Sequence, residues 1–457
     1  MQYPPVPKIH STGENMKRLI LEQSSDEFYT SHSGLALAGA CINRYSDLGR
    51  QVGRVAKGSD HIAEVDILRS YLGLLCLGKS DYQAIAAMQE DEYFKHALGI
   101  VRMPSVERLR QRLDEAGATL VPVINRCSRT MIKRLNAPIT GYKSGFVPLD
   151  VDVFPQDNSN TKKEGVSRTY KNYDGYAPIA AYLGMEGWCL EVELRPGSQH
   201  SQNGFVGFVK RAIAEAQELI KQPILLRADA GNDAVETLVA LEEAENTHYI
   251  VKWNPRRSDI VAWRDKVFAQ GPVKTPRAGK RMCTIVVDER QTIEEKTYMF
   301  KRIVRVIERT IDKNGQFLLA PEITLEGWWS DLALAPEDFI ELYRQHATSE
   351  QFHSEFKTDL DLERLPSGKF ATNALVMALG AFAYNILRFI GQTGLIAPFG
   401  PVRHSAKRRR LRTVIQELMY LAARLITTGR RLKLRFSRHC LAFTAFSVVY
   451  ARLAPAR

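Results

Sequence analysis

Apolar residues recur along this chain with two different periods, and the changes of period divide it. Residues 1–57 mix glycine, serine, proline and charge around one short apolar patch, SGLALAGA, and read as loosely organised. From residue 61 to about 135 the repeat is helical. HIAEVDILRSYLGLLCLG carries an apolar stripe, SDYQAIAAM opens on a Ser-Asp cap, and MPSVERLRQRLDEAG sets Ser105 ahead of Glu107 with leucines at 109 and 113. This succession predicts a small helical domain, suited to DNA binding or to a structural role alone.

Around Gly145 the period becomes two. GFVPLDVDVF, YAPIAAYLG and WCLEVELRPG alternate as strands joined by glycine turns. NGFVGFVKRAIAEAQELI returns to a helix, and PILLRAD, DAVETLVALEEA and THYIVKW follow as strand, helix and strand. That order predicts an α/β domain with a mixed sheet, whose strand ends are places for chemistry. Between 257 and 333 helical signals disappear, and RMCTIVVDER, EKTYMFKRIVRVIERTI and GQFLLAPEITLEGWW predict strands. A helix starts near Pro336 and runs through EDFIELYRQHATSEQFHSEFK, and residues 370–391 form another, strongly apolar one.

Charge narrows the partner. The formal net charge is +12, and residues 401–440 hold twelve Lys or Arg against one acid, Glu417. Nucleic acid is the foremost expectation, with anionic membrane or a plain basic surface as rivals. Six cysteines are widely spaced with no CxxC pair, so they form no zinc signature and nothing suggests a disulfide framework. The N-terminal residues lack the apolar core of a signal peptide. NALVMALGAFAYNILRFIG is interrupted by Asn385 and Arg388, so a buried helix is expected and no membrane span. The expected location is the cytoplasm, acting on nucleoid DNA.

Carboxylates stand at the strand ends. Asp150 and Asp152 share one face of the first strand, and Asp229 closes the fourth, just before Gly231. In the helix after Pro336, Tyr343, Glu350 and Lys357 are spaced by seven and return to nearly one face, with His346 close by. By spacing alone this stripe is equally a solvated face, and Asp229 is equally a turn residue.

The segments LDVDVFPQDNSNTKKEGVSRTYKNYDGYAPIAAYLG, ELRPGSQHSQNG and LLRADAGNDAVETL, in that order and followed by YRQHATSEQFHSEFK, resemble the DDE transposases of bacterial insertion sequences. The likeness is closest to the insertion-sequence 1380 family and spans roughly residues 60–440. It implies an α/β, RNase H-like catalytic core with a β-rich insertion, preceded by a helical domain and followed by a basic helical tail. The corresponding divisions are 1–140, 141–256, 257–333, 334–395 and 396–457. By resemblance Asp152, Asp229 and Glu350 are the catalytic and metal-holding acids, with Asp150 the competing first aspartate. The metal is Mg²⁺, for which Mn²⁺ can substitute. Phe154 stands where family members carry threonine; Tyr343 and Lys357 fit the helix signature and by resemblance contact DNA, as does His346, which stands where they carry arginine and as a neutral histidine offers a phosphate a weaker contact without a fixed cationic fork.

The implied activity is that of an endonuclease and strand-transferase. It binds terminal inverted repeats of double-stranded DNA, cuts at the element ends and joins the 3′-hydroxyls to target DNA, working as a dimer on DNA. A nuclease of the same fold without strand transfer, or a non-catalytic DNA-binding derivative, are the alternatives. Arg227, Lys162, Lys163, Arg168 and Lys357 flank the acids and are expected on phosphates, as are Lys407, Arg408, Arg409 and Arg410 in the tail. Trp328 and Trp329 are candidates for stacking on a flipped base, with core packing as the other possibility.

Overall fold

Alternation in GFVPLDVDVF produces the centre of a large sheet. In the computed structural model, which describes residues 28–55, 61–402, 404–429 and 431–454 with Leu21 and Ser24, this strand is β1 (Val147–Val153). It is followed by β2 (Ile179–Leu183), β3 (Trp188–Glu193), β4 (Ile224–Ala228) and β5 (Thr247–Lys252). Their lateral order is β3-β2-β1-β4-β5, with β2 antiparallel to both neighbours and β1, β4 and β5 parallel. Because successive side chains point to opposite faces, Val147, Leu149 and Val151 enter the core that packs on the helix Phe205–Leu219, while Asp150 and Asp152 point to the other face.

The segment predicted to be all strand departs from expectation in two ways. Ile260–Gln270 is a helix, started by Asp259, whose side chain accepts from the N–H groups of Val261 and Ala262. Its apolar residues fall less regularly than in an amphipathic helix, so the period concealed it. The strands after it are β6 (Lys274–Arg277), β7 (Lys280–Ile293), β8 (Lys296–Ile311) and β9 (Phe317–Ser330). They extend the same sheet to nine strands, because Trp328–Ser330 of β9 pair with Ile250–Lys252 of β5.

Helices cover the Asp152 face. They are α1 (Glu64–Cys76), α2 (Val106–Arg134), α3 (Pro336–Arg344), α4 (Thr348–Ser354) and α5 (Phe370–Gly394). Among the described residues α5 alone is long and apolar enough to cross a membrane, and it lies buried among α1, α2 and β3. Its polar residues are internal clips. Asn385 accepts from the Cys189 N–H at 3.0 Å and donates to the Cys189 carbonyl and Ser128 Oγ, and Arg388 pairs with buried Glu355. These satisfy the buried polar groups that would otherwise oppose folding.

Two further expectations change. SGLALAGA is not loose: Leu35–Ala40 is a helix whose leucines enter the main core. The tail is not wholly helical either. After Leu411–Met419 it forms a hairpin, β10 (Ala423–Thr428) and β11 (Arg431–Arg435), to which Tyr29–Thr30 adds a third strand. Alternation of apolar and basic residues in ARLITT and RLKLR is a strand period, and the charge count obscured it.

Candidate active site

Strand register gathers the first two acids. β1 and β4 run parallel with Asp150 beside Arg227 and Val151 beside Ala228. One residue further along each strand, Asp152 and Asp229 therefore stand side by side at the carboxyl edge of the sheet, where α/β folds place their ligands. Glu350 comes from α4, which crosses this edge, and its side chain is exposed. All three line one cleft of about 490 Å³. A second cavity of about 410 Å³ shares Asp152 and Glu350 and adds Phe154, His353 and Lys357. The two cavities also share Tyr170 and Lys171.

The acids differ in what holds them. Asp229 caps its own turn, its Oδ1 accepting from the Gly231 N–H at 3.1 Å and from Asn232 Nδ2 at 2.7 Å. The turn role and the cleft role are thus compatible. Burial raises its carboxyl above the ordinary range. Asp152 Oδ1 accepts from the Val153 N–H at 2.8 Å. Burial pushes its carboxyl up to about 7; the charges of Asp229 and Glu350 add to the rise, and His346 and the Val153 N–H oppose it.

Asp150 is different. Arg227 grips it with Nε and Nη2, both at 2.7 Å, and His346 Nδ1 lies 2.8 Å from Oδ1. Burial pulls its carboxyl upward, but Arg227 and His346 outweigh that and hold it below the usual range. Its charge is consumed inside the protein, which separates it from Asp152.

That pair occupies a residue expected on phosphates. Arg227 is 1% exposed, and its remaining Nη1 donates to the Leu342 carbonyl at 2.6 Å, so it holds no arm free for a phosphate. His346 is likewise turned inward onto Asp150, with Nε2 buried and unpartnered, although it borders the cleft.

The tryptophans take the core-packing alternative. Trp329 is core, its indole N–H donating to Asp233 Oδ1 at 2.9 Å. Asp233 accepts the Asn254 N–H as well, so it ties the insertion to the core. Trp328 borders the cleft but is 2% exposed, packed by Phe339, Tyr343 and Arg305, with no open face for a base.

Several predicted phosphate contacts are internal. Lys163 donates to Asn158 Oδ1 and to the Leu365 carbonyl. Arg408 reaches Gln351 and stacks on Phe352, Arg409 donates to the Leu395 carbonyl, and Arg410 pairs with Asp359. Lys162, Arg168 and Lys407 are exposed, Arg168 with a long 3.8 Å pairing to Asp174. Tyr343 lines the larger cavity and Lys357 the smaller, where Lys357 also pairs with Glu363 at 3.1 Å.

Sequence reasoning passed over Tyr170, Lys171, Lys252, Arg344 and His353. All of them border the acids. Lys252 ends β5 beside β4, a strand-end position that pointed to it. His353 is stacked on Phe154 at 4.6 Å, and burial, then repulsion from His346 and Lys357, pushes it down to about 3. It is therefore neutral at physiological pH, and the Phe154 ring occupies space beside it.

No three His, Cys, Asp or Glu groups among the described residues converge closely enough to form a metal cluster. The three acids supply the oxygen donors that a hard cation takes, and their mutual repulsion at Asp152 is a charge imbalance that a cation would relieve. The donor set fits such an ion in chemistry, without a closed coordination geometry.

Residues 27–457 match the family described as transposase DDE domain, group 1. A match over nearly the whole chain places it among the DDE-transposase proteins. It belongs to group 1 of that domain family. Among solved structures, the cryo-EM piggyBac transposase synaptic complex with hairpin DNA aligns over 94% of this chain and 83% of that chain, at 9% identity and a TM-score of 0.43. That likeness is too distant to carry residue roles. No curated protein matches this chain.

Proposed function

We propose that the chain is a DNA transposase of the insertion-sequence 1380 type, acting on nucleoid DNA. It cleaves at the ends of its element and joins the freed 3′-hydroxyls to target DNA. The carrying observation is the convergence of Asp152, Asp229 and Glu350 on one cleft at the carboxyl edge of the sheet, while Asp150 is neutralised beside them. The β3-β2-β1-β4-β5 order with antiparallel β2 supports reading the core as RNase H-like.

Each step forms one P–O bond and breaks another. Water attacks at the element end and the 3′ oxygen leaves as a hydroxyl; that hydroxyl then attacks a target phosphorus and displaces the target's 3′ oxygen. The attacking oxygen loses a proton and the leaving oxygen gains one. Asp152, Asp229 and Glu350 would hold Mg²⁺ or Mn²⁺, which when bound supplies Lewis-acid polarisation of the phosphoryl oxygen and a more acidic attacking water. The chain itself contributes position and charge. Lys171, Lys252 and Arg344 border the cleft and would receive phosphate oxygens. Arg227 and His346 keep Asp150 from adding a further negative charge to the site. Joining two ends requires two copies on DNA, and we assign the assembly as a dimer.

The test supplies wild type, Asp152→Asn, Asp229→Asn and Glu350→Gln with the element's terminal DNA, a supercoiled target and Mg²⁺ or Mn²⁺. Joining by wild type, lost in all three variants with DNA binding retained, is the expected result. Cleavage without joining would assign a nuclease. Binding without either reaction would make the protein a non-catalytic derivative.

A further inference from the structure

The hairpin β10–β11 carries its charge on one side only. Arg424 lies opposite Arg435, Ile426 opposite Lys433 and Thr428 opposite Arg431, which places four cations on a single face. Tyr29 pairs with Arg424 from the adjoining strand and is 59% exposed, so Tyr29, Arg424 and Arg435 form a row across three strands. The reverse face carries Thr30, Ala423, Leu425 and Leu434, with Thr30 and Ala423 buried and the two leucines packed on the helical core, and towards the turn an exposed Thr427 and Leu432.

Like charges directly opposite on neighbouring strands destabilise a hairpin. Here Arg424 and Arg435 face each other, and none of the four cations has an acidic partner among the described residues. An anion on that face removes the repulsion. None of these residues borders either cavity at the acids.

We propose that this face is a separate binding surface for the phosphate backbone of duplex DNA, positioning DNA without reading its sequence. Arg431, Lys433 and Arg435 repeat at two-residue intervals, about 6.8 Å apart along an antiparallel strand, and so present a row of cations to a polyanion. A lipid surface fits less well. An interfacial element sets a broad apolar face into the lipid beside its cations, whereas this face holds four cations around Tyr29 and a half-buried Ile426, and leucines 425 and 434 turn inward. The proposal rests on DNA being the substrate, but its test requires no catalysis.

The full chain is compared with a variant carrying Arg424→Gln, Arg431→Gln, Lys433→Gln and Arg435→Gln. The control carries Arg256→Gln, Arg257→Gln, Arg290→Gln and Lys313→Gln, four exposed cations outside the hairpin. Binding to a random-sequence duplex is followed by anisotropy in EDTA over a salt series. The hairpin variant is expected to lose about 3–4 from the log–log salt slope, at ~0.9 per phosphate contact, and on the order of tenfold or more in affinity at low salt.

The control is expected to keep most of its slope. The melting temperature of the hairpin variant should hold or rise, since repulsion is relieved, which excludes misfolding as the cause. An unchanged slope, or equal losses in both variants, overturns the proposal. Phosphatidylserine vesicle binding that is lost in the hairpin variant while the DNA slope stays constant also overturns it, and assigns the face to membrane. Failure of wild type to cleave or join, with this slope difference intact, counts against the transposase reading and leaves the surface standing.

Discussion

At the level of single residues, one buried charge pair separates two aspartates that the sequence leaves equivalent. Asp150 and Asp152 share a strand face, and only the position of Arg227 on the neighbouring strand decides between them. Removing one partner of a buried pair leaves an uncompensated charge, so Arg227→Met should lose about 3–5 kcal/mol in urea unfolding. Arg227→Met combined with Asp150→Leu should recover most of that loss. The salt slope of DNA binding should not move, because Arg227 offers no arm to a phosphate.

Asp152 provides a pH signature. Its folded carboxyl titrates near 7, above the ordinary value of 3.8 that the unfolded chain retains, so ionisation is disfavoured by the fold. The cost is absent below about pH 4, grows through the interval and is complete above about pH 7. In EDTA, Asp152→Asn should therefore gain stability over wild type as pH rises across that window, by a few kcal/mol at ~1.4 kcal/mol per unit. A difference that does not change with pH would count against it. If Mg²⁺ binds the acids, adding it at pH 8 should raise the melting temperature of wild type and not of Asp152→Asn.

At the level of elements, the helix carrying Glu350 is placed by packing beneath it. Gly187, in the turn between β2 and β3, has φ +73°, and a Cβ there would stand 2.2 Å from the Phe352 ring. Gly187→Ala thus combines left-handed backbone strain with a clash against α4. The expected outcome is a loss of about 1–3 kcal/mol in chemical denaturation. A further fall in strand transfer is expected under conditions where the variant is fully folded, because Glu350 moves with Phe352. Retained transfer at full folding would show that α4 tolerates the shift.

The insertion illustrates the limit of period reading. Its long strands were legible from alternation, since β7 and β8 pair over fourteen positions without interruption. The helix Ile260–Gln270 was not, because its apolar positions do not form a stripe.

At the level of the molecule, segments far apart in sequence share one small sheet. Tyr29 and Thr30 pair with Arg424 and Ala423, so the basic hairpin depends on a strand that begins almost four hundred residues earlier. Deletion through Thr30 should strip amide protection from Ala423–Thr428 in hydrogen exchange while leaving β1 and β4 protected. Unchanged exchange in that strand would mean that the hairpin stands alone. The nine-stranded sheet likewise makes the core and the β-rich segment continuous through Trp328–Ser330, and the indole bond from Trp329 to Asp233 joins them a second time.

The sequence by itself determined the succession of strands and helices from β1 to α5, apart from the helix Ile260–Gln270 and the short β6, together with the positions of Asp152, Asp229 and Glu350 and the basic net charge. Those depend on local period, residue chemistry and order, all of which are properties of one chain read in one direction. Tertiary structure decided which charges are available. Arg227, Lys163, Arg408 and Arg410 look in sequence like the exposed Lys162 and Lys407, and distant partners engage them: Asp150, the Leu365 carbonyl, Gln351 and Asp359. A cation's freedom depends on what the fold brings within about 3 Å of it, and that distance is set by residues tens to hundreds of positions away.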